Sequence, residues 1–215
     1  MQEQLAFSLI YRPAFGRSDF LVAPCNEEAV SWVDKYPDWP MPILIICGES
    51  GCGKSHLASI FSGNHINASE LTMERALSET AEKIVVEDVD LLKDEEALFH
   101  LYNRVVAQQG ALLLTARNIP QFQLKDLQSR LNAAPKVYIS MPDDALISAV
   151  LMKAFDDRQL VVEPKVIDYV IMRLPRSFDT IQKVIDIADK LSLSQQRKIT
   201  IPLMREALGI LTNTF

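Results

Sequence analysis

Uninterrupted apolar segments recur along the chain as far as Pro142. Four of them are Ile43–Cys47, Ile84–Val86, Ala111–Leu114 and Val137–Ile139, and a weaker one lies around residues 65–67. None of these segments alternates polar with apolar residues. Continuous apolar runs of this length, separated by helical patterns, are typical of parallel strands that are buried on both faces.

The segments between the predicted strands have the residue spacing of helices. The clearest apolar stripe follows the i, i+3, i+4, i+7, i+8 pattern and consists of Leu98, Leu101, Tyr102, Val105 and Val106. An earlier helix is predicted from Glu27 to Lys35, with Asn26 as its N-cap. The alternation of strands and helices predicts an α/β fold with a doubly wound parallel sheet flanked by helices.

The pattern changes after Pro142, where the strand-like segments stop. Four helices are predicted, at residues 143–158, 164–173, 177–192 and 202–211. Pro164 and Pro202 stand near the starts of two of them, where proline is tolerated. The sequence therefore predicts an N-terminal arm at residues 1–24, an α/β domain at residues 25–142 and a small all-helical domain at residues 143–215.

Composition narrows the possible partners and the compartment. The 215 residues carry a formal net charge of −6, so the phosphate backbone of duplex DNA is not the expected direct partner, although a local basic patch stays possible. The spacing of Cys25, Cys47 and Cys52 matches no zinc or disulfide framework and suits buried thiols in a reducing cytosol. Without a signal-peptide pattern or an apolar run of ~20 residues, a cytoplasmic protein is expected.

One segment carries a specific chemical signal. Gly48-Glu49-Ser50-Gly51-Cys52-Gly53-Lys54-Ser55 matches the phosphate-loop pattern G-x-x-x-x-G-K-[ST], between a predicted strand and a predicted helix. Glycines allow the backbone N–H groups to face phosphates, and the helix N-terminus adds its dipole. Lys54 would reach the β- and γ-phosphates, and the Ser55 hydroxyl would bind Mg²⁺. The predicted ligands are therefore ADP or ATP with Mg²⁺.

Two carboxylates follow the strand predicted at Ile84–Val86. In phosphate-loop proteins such a strand ends in an acid that binds Mg²⁺, and a second acid orients the attacking water. Glu87 is predicted for the metal and Asp88 for the water. The longer side chain comes first, the reverse of the usual Asp-then-Glu order, and a solvated turn is the alternative interpretation.

Several further segments together resemble one family. They are Gly48–Leu57, Leu98–Arg104, Leu112–Thr115 with Pro120, Leu127–Leu131 and Gln196–Pro202. In these segments the chain resembles the AAA+ domain of the replication initiator DnaA, and most of all the Hda family of regulatory inactivators of DnaA. The resemblance implies an AAA+ nucleotide-binding domain at residues 25–142 and a helical lid domain at residues 143–215.

The resemblance also implies roles for single residues. His56 joins the phosphate loop as a nucleotide contact, and Thr115 lies in the sensor-1 segment. Arg130 corresponds to the arginine finger that acts in trans on a neighbour's nucleotide. Asp179 occupies the place of the sensor-2 arginine, which touches the phosphates, and Arg176 is the candidate to replace it.

The N-terminus resembles a docking peptide. Gln4-Leu5-Ala6-Phe7 is similar to the Q-L-x-[LF] motif by which bacterial proteins bind the DNA polymerase sliding clamp. In such a peptide, apolar anchors enter a groove while glutamine supplies hydrogen bonds. Gln4, Leu5 and Phe7 are therefore predicted to bind this partner, and an arm packed on its own domain is the alternative.

The resemblance implies a negative regulator of replication initiation. It would bind ADP, dock on the sliding clamp and stimulate ATP hydrolysis by DnaA through Arg130, with weak or no ATPase activity of its own. Two alternatives stay open: a self-acting AAA+ ATPase, and a non-catalytic adaptor between clamp and partner. Loss of Arg130 would separate the adaptor from the finger donor, and assembly of the chain with itself is also left open.

Overall fold

The computed structural model describes residues 20–212, and the predicted clamp-docking residues Gln4, Leu5 and Phe7 lie outside them. The described residues form one parallel sheet of five strands in the order β2-β3-β4-β1-β5. The strands are β1 (Ile43–Cys47), β2 (Asn64–Asn67), β3 (Lys83–Glu87), β4 (Ala111–Ala116) and β5 (Lys136–Tyr138). The predicted α/β fold with a parallel sheet is confirmed.

Helices cover both faces of the sheet, because neighbouring residues of each buried strand point to opposite sides. These helices are α1 (Glu27–Asp34), α2 (Lys54–Phe61), α3 (Met73–Ser78), α4 (Glu95–Ala107) and α5 (Lys125–Ala133). Ile43 and Ile45 pack in the core on the side of α4 and α5, whereas Leu44 and Ile46 pack with α1 and α2.

The start of α1 differs in one detail from the prediction. Asn26 precedes the helix as expected, but its side chain makes no capping hydrogen bond to the helix. Its Oδ1 accepts from the Ala23 N–H at 2.9 Å, and its Nδ2 donates to the Leu21 carbonyl at 3.1 Å. Asn26 therefore organises the segment before the helix, a competing use that short polar side chains often have.

Four helices follow the sheet and enclose a core of their own. They are α6 (Asp144–Asp156), α7 (Pro164–Ile171), α8 (Phe178–Gln195) and α9 (Ile201–Thr212), here called the helical lid. Phe155, Val170, Val184 and Leu203 are almost completely buried at its centre. The predicted all-helical C-terminal region is thus present, with bounds that differ by up to three residues.

The carboxyl end of β1 is where the phosphate loop, residues 48–55, begins. Cys47 pairs with Ala116 of β4 and with Tyr138 of β5, so strands flank β1 on both sides. In open α/β sheets, ligands bind outside the carboxyl ends of the strands. The loop therefore stands at the edge of the sheet where a binding site is expected.

Among residues 20–212, no helix is both long enough and apolar enough to cross a membrane.

The central strand offers a direct test of the sheet core. Leu113 in β4 is fully buried, and Leu113→Ala should lower the free energy of unfolding by about 2–5 kcal/mol, because it removes buried apolar volume and leaves a cavity. Leu193→Ala in α8 is the matched control, since 71% of that side chain is exposed. Urea unfolding of both variants measures the difference. Equal losses would show that the strand is not in the core.

Candidate nucleotide site

A cavity of about 610 Å³ lies between the phosphate loop and the helical lid. The loop contributes Ser50, Gly51, Gly53, Lys54 and Ser55 to its lining, followed by His56. The lid contributes apolar residues, among them Leu146, Val150, Ala154 and Ile181. The cavity, called here the loop–lid cavity, thus has a polar end at the loop and a lid wall that combines these apolar residues with several charged ones.

The loop geometry requires its glycines. Gly51 and Gly53 have φ of +75° and +103°, which glycine adopts without strain. A Cβ on Gly48 would lie 2.4 Å from the Ile139 carbonyl oxygen, closer than atoms can pack. The predicted glycine cradle therefore has the backbone shape that the motif indicates.

Lys54 is held across the loop. Its side chain is 6% exposed, and its Nζ donates to the carbonyls of Gly48 at 2.7 Å and Glu49 at 2.9 Å. An ammonium group has three N–H donors, and these two contacts account for two of them among the described residues. The charge is thus buried and fixed, with one donor left for a phosphate oxygen.

Cys52 and Gly48 belong to the loop but not to the cavity lining. Cys52 is 2% exposed, and burial raises the pKa of its thiol, with nearby Lys54 partly opposing the shift. The thiol is therefore neutral near pH 7 and acts as an apolar packing group behind the loop. A contact of Cys52 with nucleotide through its backbone stays a prediction.

His56 lies where α2 leaves the loop and also lines the cavity. Its ring meets that of Phe20 edge-on, with centroids 5.0 Å apart. Phe20 lines the same cavity. The two rings therefore form part of the wall near the loop, a position compatible with the nucleotide contact predicted for His56.

The two acids after β3 are placed differently. Glu87 points to β2, where its Oε1 lies 2.8 Å from His65 Nδ1, and it does not line the cavity. Asp88 lines the cavity, as does Asp90. The metal role of Glu87 stays a prediction that this contact with His65 does not support, because the carboxylate is engaged away from the loop.

Thr115 is completely buried in β4 and acts on the second acid. Its Oγ1 accepts a hydrogen bond at 3.1 Å from the N–H of Asp88, which has φ of +56°. The hydroxyl thus holds the backbone turn that carries the Asp88 carboxylate to the cavity. Thr115 itself is not part of the lining, and its predicted sensor-1 role would be exerted through Asp88.

The lid meets the loop through the start of α8. The Phe178 N–H donates to the Gly51 carbonyl at 2.8 Å, and a Cβ on Gly51 would lie 2.0 Å from Ser177 Oγ. Asp179, the next residue, lines the cavity. An acidic side chain therefore stands beside the phosphate loop, as the sequence comparison with sensor 2 implies.

Arg176 is directed elsewhere. Its Nη2 lies 3.1 Å from Asp144 Oδ1, its side chain is 60% exposed, and it is absent from the cavity lining. Its replacement of the sensor-2 arginine stays a prediction, and this arrangement does not favour it.

Arg130 lies outside the cavity, on α5 against α4. Its guanidinium is 4.9 Å from the ring centroids of both Phe99 and Tyr102, and its Nη1 donates to Asn103 Oδ1 at 2.8 Å. Two rings and an amide therefore fix a half-buried cation on the surface, away from the chain's own phosphate loop.

Sequence reasoning missed four charged residues of the cavity lining: Asp90, Arg117, Lys153 and Asp157. The position of Arg117 carries a signal, because it directly follows β4, the strand beside β1. Lys153 lies on α6, and its distance from the loop along the chain hid its place in the lining.

Comparison with known proteins identifies the lid. The family described as "Hda, lid domain" matches residues 143–208. An uncharacterised protein of Haemophilus influenzae is 28% identical over 194 residues, which cover 80% of this chain and 84% of that protein.

Solved structures identify the fold. Domain III of the replication initiation protein DnaA from Thermotoga maritima matches with a TM-score of 0.80 and 16% identity, covering 93% of this chain and 98% of that one. The RuvB Holliday junction branch migration motor of T. maritima matches with a TM-score of 0.69 and 12% identity, covering 91% and 71%. Residues 143–208 therefore match the Hda lid family, and the chain as a whole shares the fold of domain III of DnaA.

Proposed function

We propose that this protein is a negative regulator of DNA replication initiation, which binds ADP and stimulates ATP hydrolysis by DnaA in trans. The observation that carries the proposal is the division between two sites. The phosphate loop faces the loop–lid cavity, whereas Arg130 is fixed on a different surface. Such a chain can hold one nucleotide and present an arginine to another.

The residues of the cavity fit a nucleotide with Mg²⁺. Lys54 and the backbone N–H groups at the start of α2 would hold the phosphates, and the apolar lid wall would cover the base. Mg²⁺ is usually held by one or two carboxylates together with phosphates, and Ser55 and Asp88 offer oxygen ligands in the lining. The metal would neutralise phosphate charge there.

The charges near the loop support a preference for ADP. Asp179 lies beside Gly51, with its Oδ2 3.3 Å from the place of a Cβ, while Arg176 pairs with Asp144. A carboxylate near the phosphates repels the more highly charged ATP more than ADP. The displaced Glu87 also weakens the case for hydrolysis in this chain's own site.

Arg130 is suited to a partner's nucleotide. Arginine fingers in trans stabilise charge that develops on the transferred phosphoryl group. The rings of Phe99 and Tyr102 and the amide of Asn103 orient the guanidinium before a partner arrives. Preorganised donors lose less conformational freedom on binding, which supports a role in stimulating DnaA.

The other parts of the proposal follow the sequence. The arm at residues 1–24 would dock on the sliding clamp through Gln4, Leu5 and Phe7, residues 25–142 would form the AAA+ domain, and residues 143–215 would form the lid. DnaA is the proposed partner because the lid belongs to the Hda type and the fold resembles domain III of DnaA. A cytoplasmic location is part of the same proposal.

The nucleotide site should bind ADP at least as tightly as ATP and hydrolyse ATP more slowly than about 1 s⁻¹, the low end of ordinary enzymes. Isothermal titration with both nucleotides and a phosphate-release assay measure this. Lys54→Ala should abolish binding of both, because it removes the buried cation, whereas Lys165→Ala, a 70% exposed lysine of the lid, should not. Clear ATP preference with steady turnover would instead identify a self-acting ATPase.

Arg130→Ala should remove the stimulation of DnaA while nucleotide binding stays intact, because fingers contribute about 10³–10⁵ in rate. Arg173→Ala is the matched control: that guanidinium also stacks on a ring, 3.9 Å from the Tyr169 centroid, but lies in the lid. Single-turnover hydrolysis by ATP-loaded DnaA, with clamp on DNA present, gives the rates. Stimulation that survives in Arg130→Ala would favour the adaptor.

Replacing Gln4, Leu5 and Phe7 together by alanine should abolish clamp binding and leave the melting temperature nearly unchanged, since a docking peptide contributes contacts to its partner and few to its own domain. Surface plasmon resonance on immobilised clamp and thermal unfolding measure the two effects. Gln2→Ala with Ser8→Ala is the control in the same arm. A large fall in melting temperature would show that the arm packs on its own domain.

A further inference from the structure

We propose that Arg117 binds the terminal phosphate of the nucleotide in this chain's own site. Arg117, at the end of a sheet strand, would thereby replace the phosphate-binding arginine that the lid lacks at Asp179. The inference deepens the proposed function, because it rests on nucleotide binding in the loop–lid cavity.

The sheet places Arg117 next to the phosphate loop. In the parallel register, Cys47 of β1 pairs with Ala116 of β4, and the Gly48 N–H donates to the Ala116 carbonyl at 3.2 Å. Arg117, one residue further, therefore emerges beside the first glycine of the loop. Its side chain lines the same cavity as Lys54 and Ser55.

The backbone of Arg117 is anchored, while its guanidinium is available. The Arg117 N–H donates to Asp90 Oδ1 at 3.0 Å, which ties the end of β4 to the turn after β3. Among residues 20–212, no hydrogen bond or ion pair engages the guanidinium, and the residue is exposed. A fixed backbone with an unengaged cation at the cavity is the arrangement of a ligand-binding arginine.

The charged residues of the cavity lining indicate why the Arg117 cation would matter for phosphate binding. The lining holds four acids, Asp88, Asp90, Asp157 and Asp179, and three cations, Lys54, Arg117 and Lys153. A polyphosphate adds further negative charge to a lining that is already short of positive charge. Tight binding therefore requires a cation close to the phosphates.

The other two cations have part of their hydrogen-bonding capacity in use, and Lys54 keeps one N–H for a phosphate oxygen. Lys54 donates to two carbonyls of its own loop, at 2.7 Å and 2.9 Å. Lys153 lies 3.2 Å from Asp157, on α6 of the lid. Arg117 can add to Lys54, because its planar guanidinium can make two parallel hydrogen bonds to one phosphate group, which an ammonium cannot.

The position also explains how the site could tolerate Asp179. Arg117 follows β4 of the sheet and Asp179 belongs to α8 of the lid, and both line the same cavity. The Arg117 guanidinium, when bound to the phosphate, would offset part of the repulsion between the phosphate and the Asp179 carboxylate. On this view, binding depends on Arg117 and not on Arg176, which pairs with Asp144 outside the lining.

The test is ADP titration of the full chain by calorimetry, with Mg²⁺ present. Arg117→Ala should weaken ADP binding about tenfold or more, the usual consequence of losing a charge-assisted hydrogen bond. Arg176→Ala is the matched control and should leave the affinity unchanged. Arg117→Gln keeps the length and polarity of the side chain, and should lose affinity like the alanine variant, while Arg117→Lys should retain part of it.

The outcomes separate this inference from the proposed function. Wild-type protein that fails to bind ADP would overturn both. Wild-type binding with unchanged affinity in Arg117→Ala and Arg117→Gln would overturn the role of Arg117 and leave the proposed function standing. A loss in Arg176→Ala in place of the Arg117 variants would return the role to the lid. Should Arg117→Ala fail to fold by circular dichroism, Arg117→Gln and Arg117→Lys give the answer.

Discussion

The backbone contact at Gly51 is the constraint on which the site depends. Its carbonyl accepts from the Phe178 N–H at 2.8 Å, and the space where a Cβ would stand is filled by Ser177. Gly51 thus allows the backbone turn of the loop and also leaves space for Ser177 of the lid. Any ligand bound in the loop meets the start of α8, because two separately packed cores come together there.

That contact decides which charged side chains of the lid lie beside the phosphate loop. Since Phe178 is fixed on Gly51, Asp179 follows at the cavity, while Arg176, on the other side of the contact, turns to Asp144. Because the start of α8 is fixed, the directions in which the side chains of its first turn point are fixed as well. The sheet side supplies a further cation, because β4 ends beside the loop and Arg117 follows it into the cavity lining.

Features that depend on the local residue pattern could be predicted from the sequence, whereas side-chain directions that depend on neighbouring elements could not. β1 begins and ends as predicted, because an apolar run between a connector and a glycine loop leaves no ambiguity. The direction of Glu87 depended on His65 in another strand, and Asn26 on a segment that precedes its helix. The rings that hold Arg130 lie on α4, and spacing along the chain does not reveal such a stack. The phosphate-loop residues could be predicted from their motif. The places of Arg117 and Asp90 in the cavity depend on how β1, β3 and β4 pair, which the sequence pattern does not show.

The loop–lid cavity and the half-buried Arg130 are supported by separate sets of residues. Hydrolysis in the chain's own cavity needs acids aligned on a metal and water, and displacement of a reacting group by ~1 Å can cost about a hundredfold in rate. Glu87 is held by His65 and lies outside the cavity lining, which contains Lys54 and two loop glycines. Arg130 is supported by Phe99, Tyr102 and Asn103, none of which lines the cavity. The two sets of supporting residues therefore do not overlap, so a change in the cavity lining leaves the contacts that hold Arg130 in place.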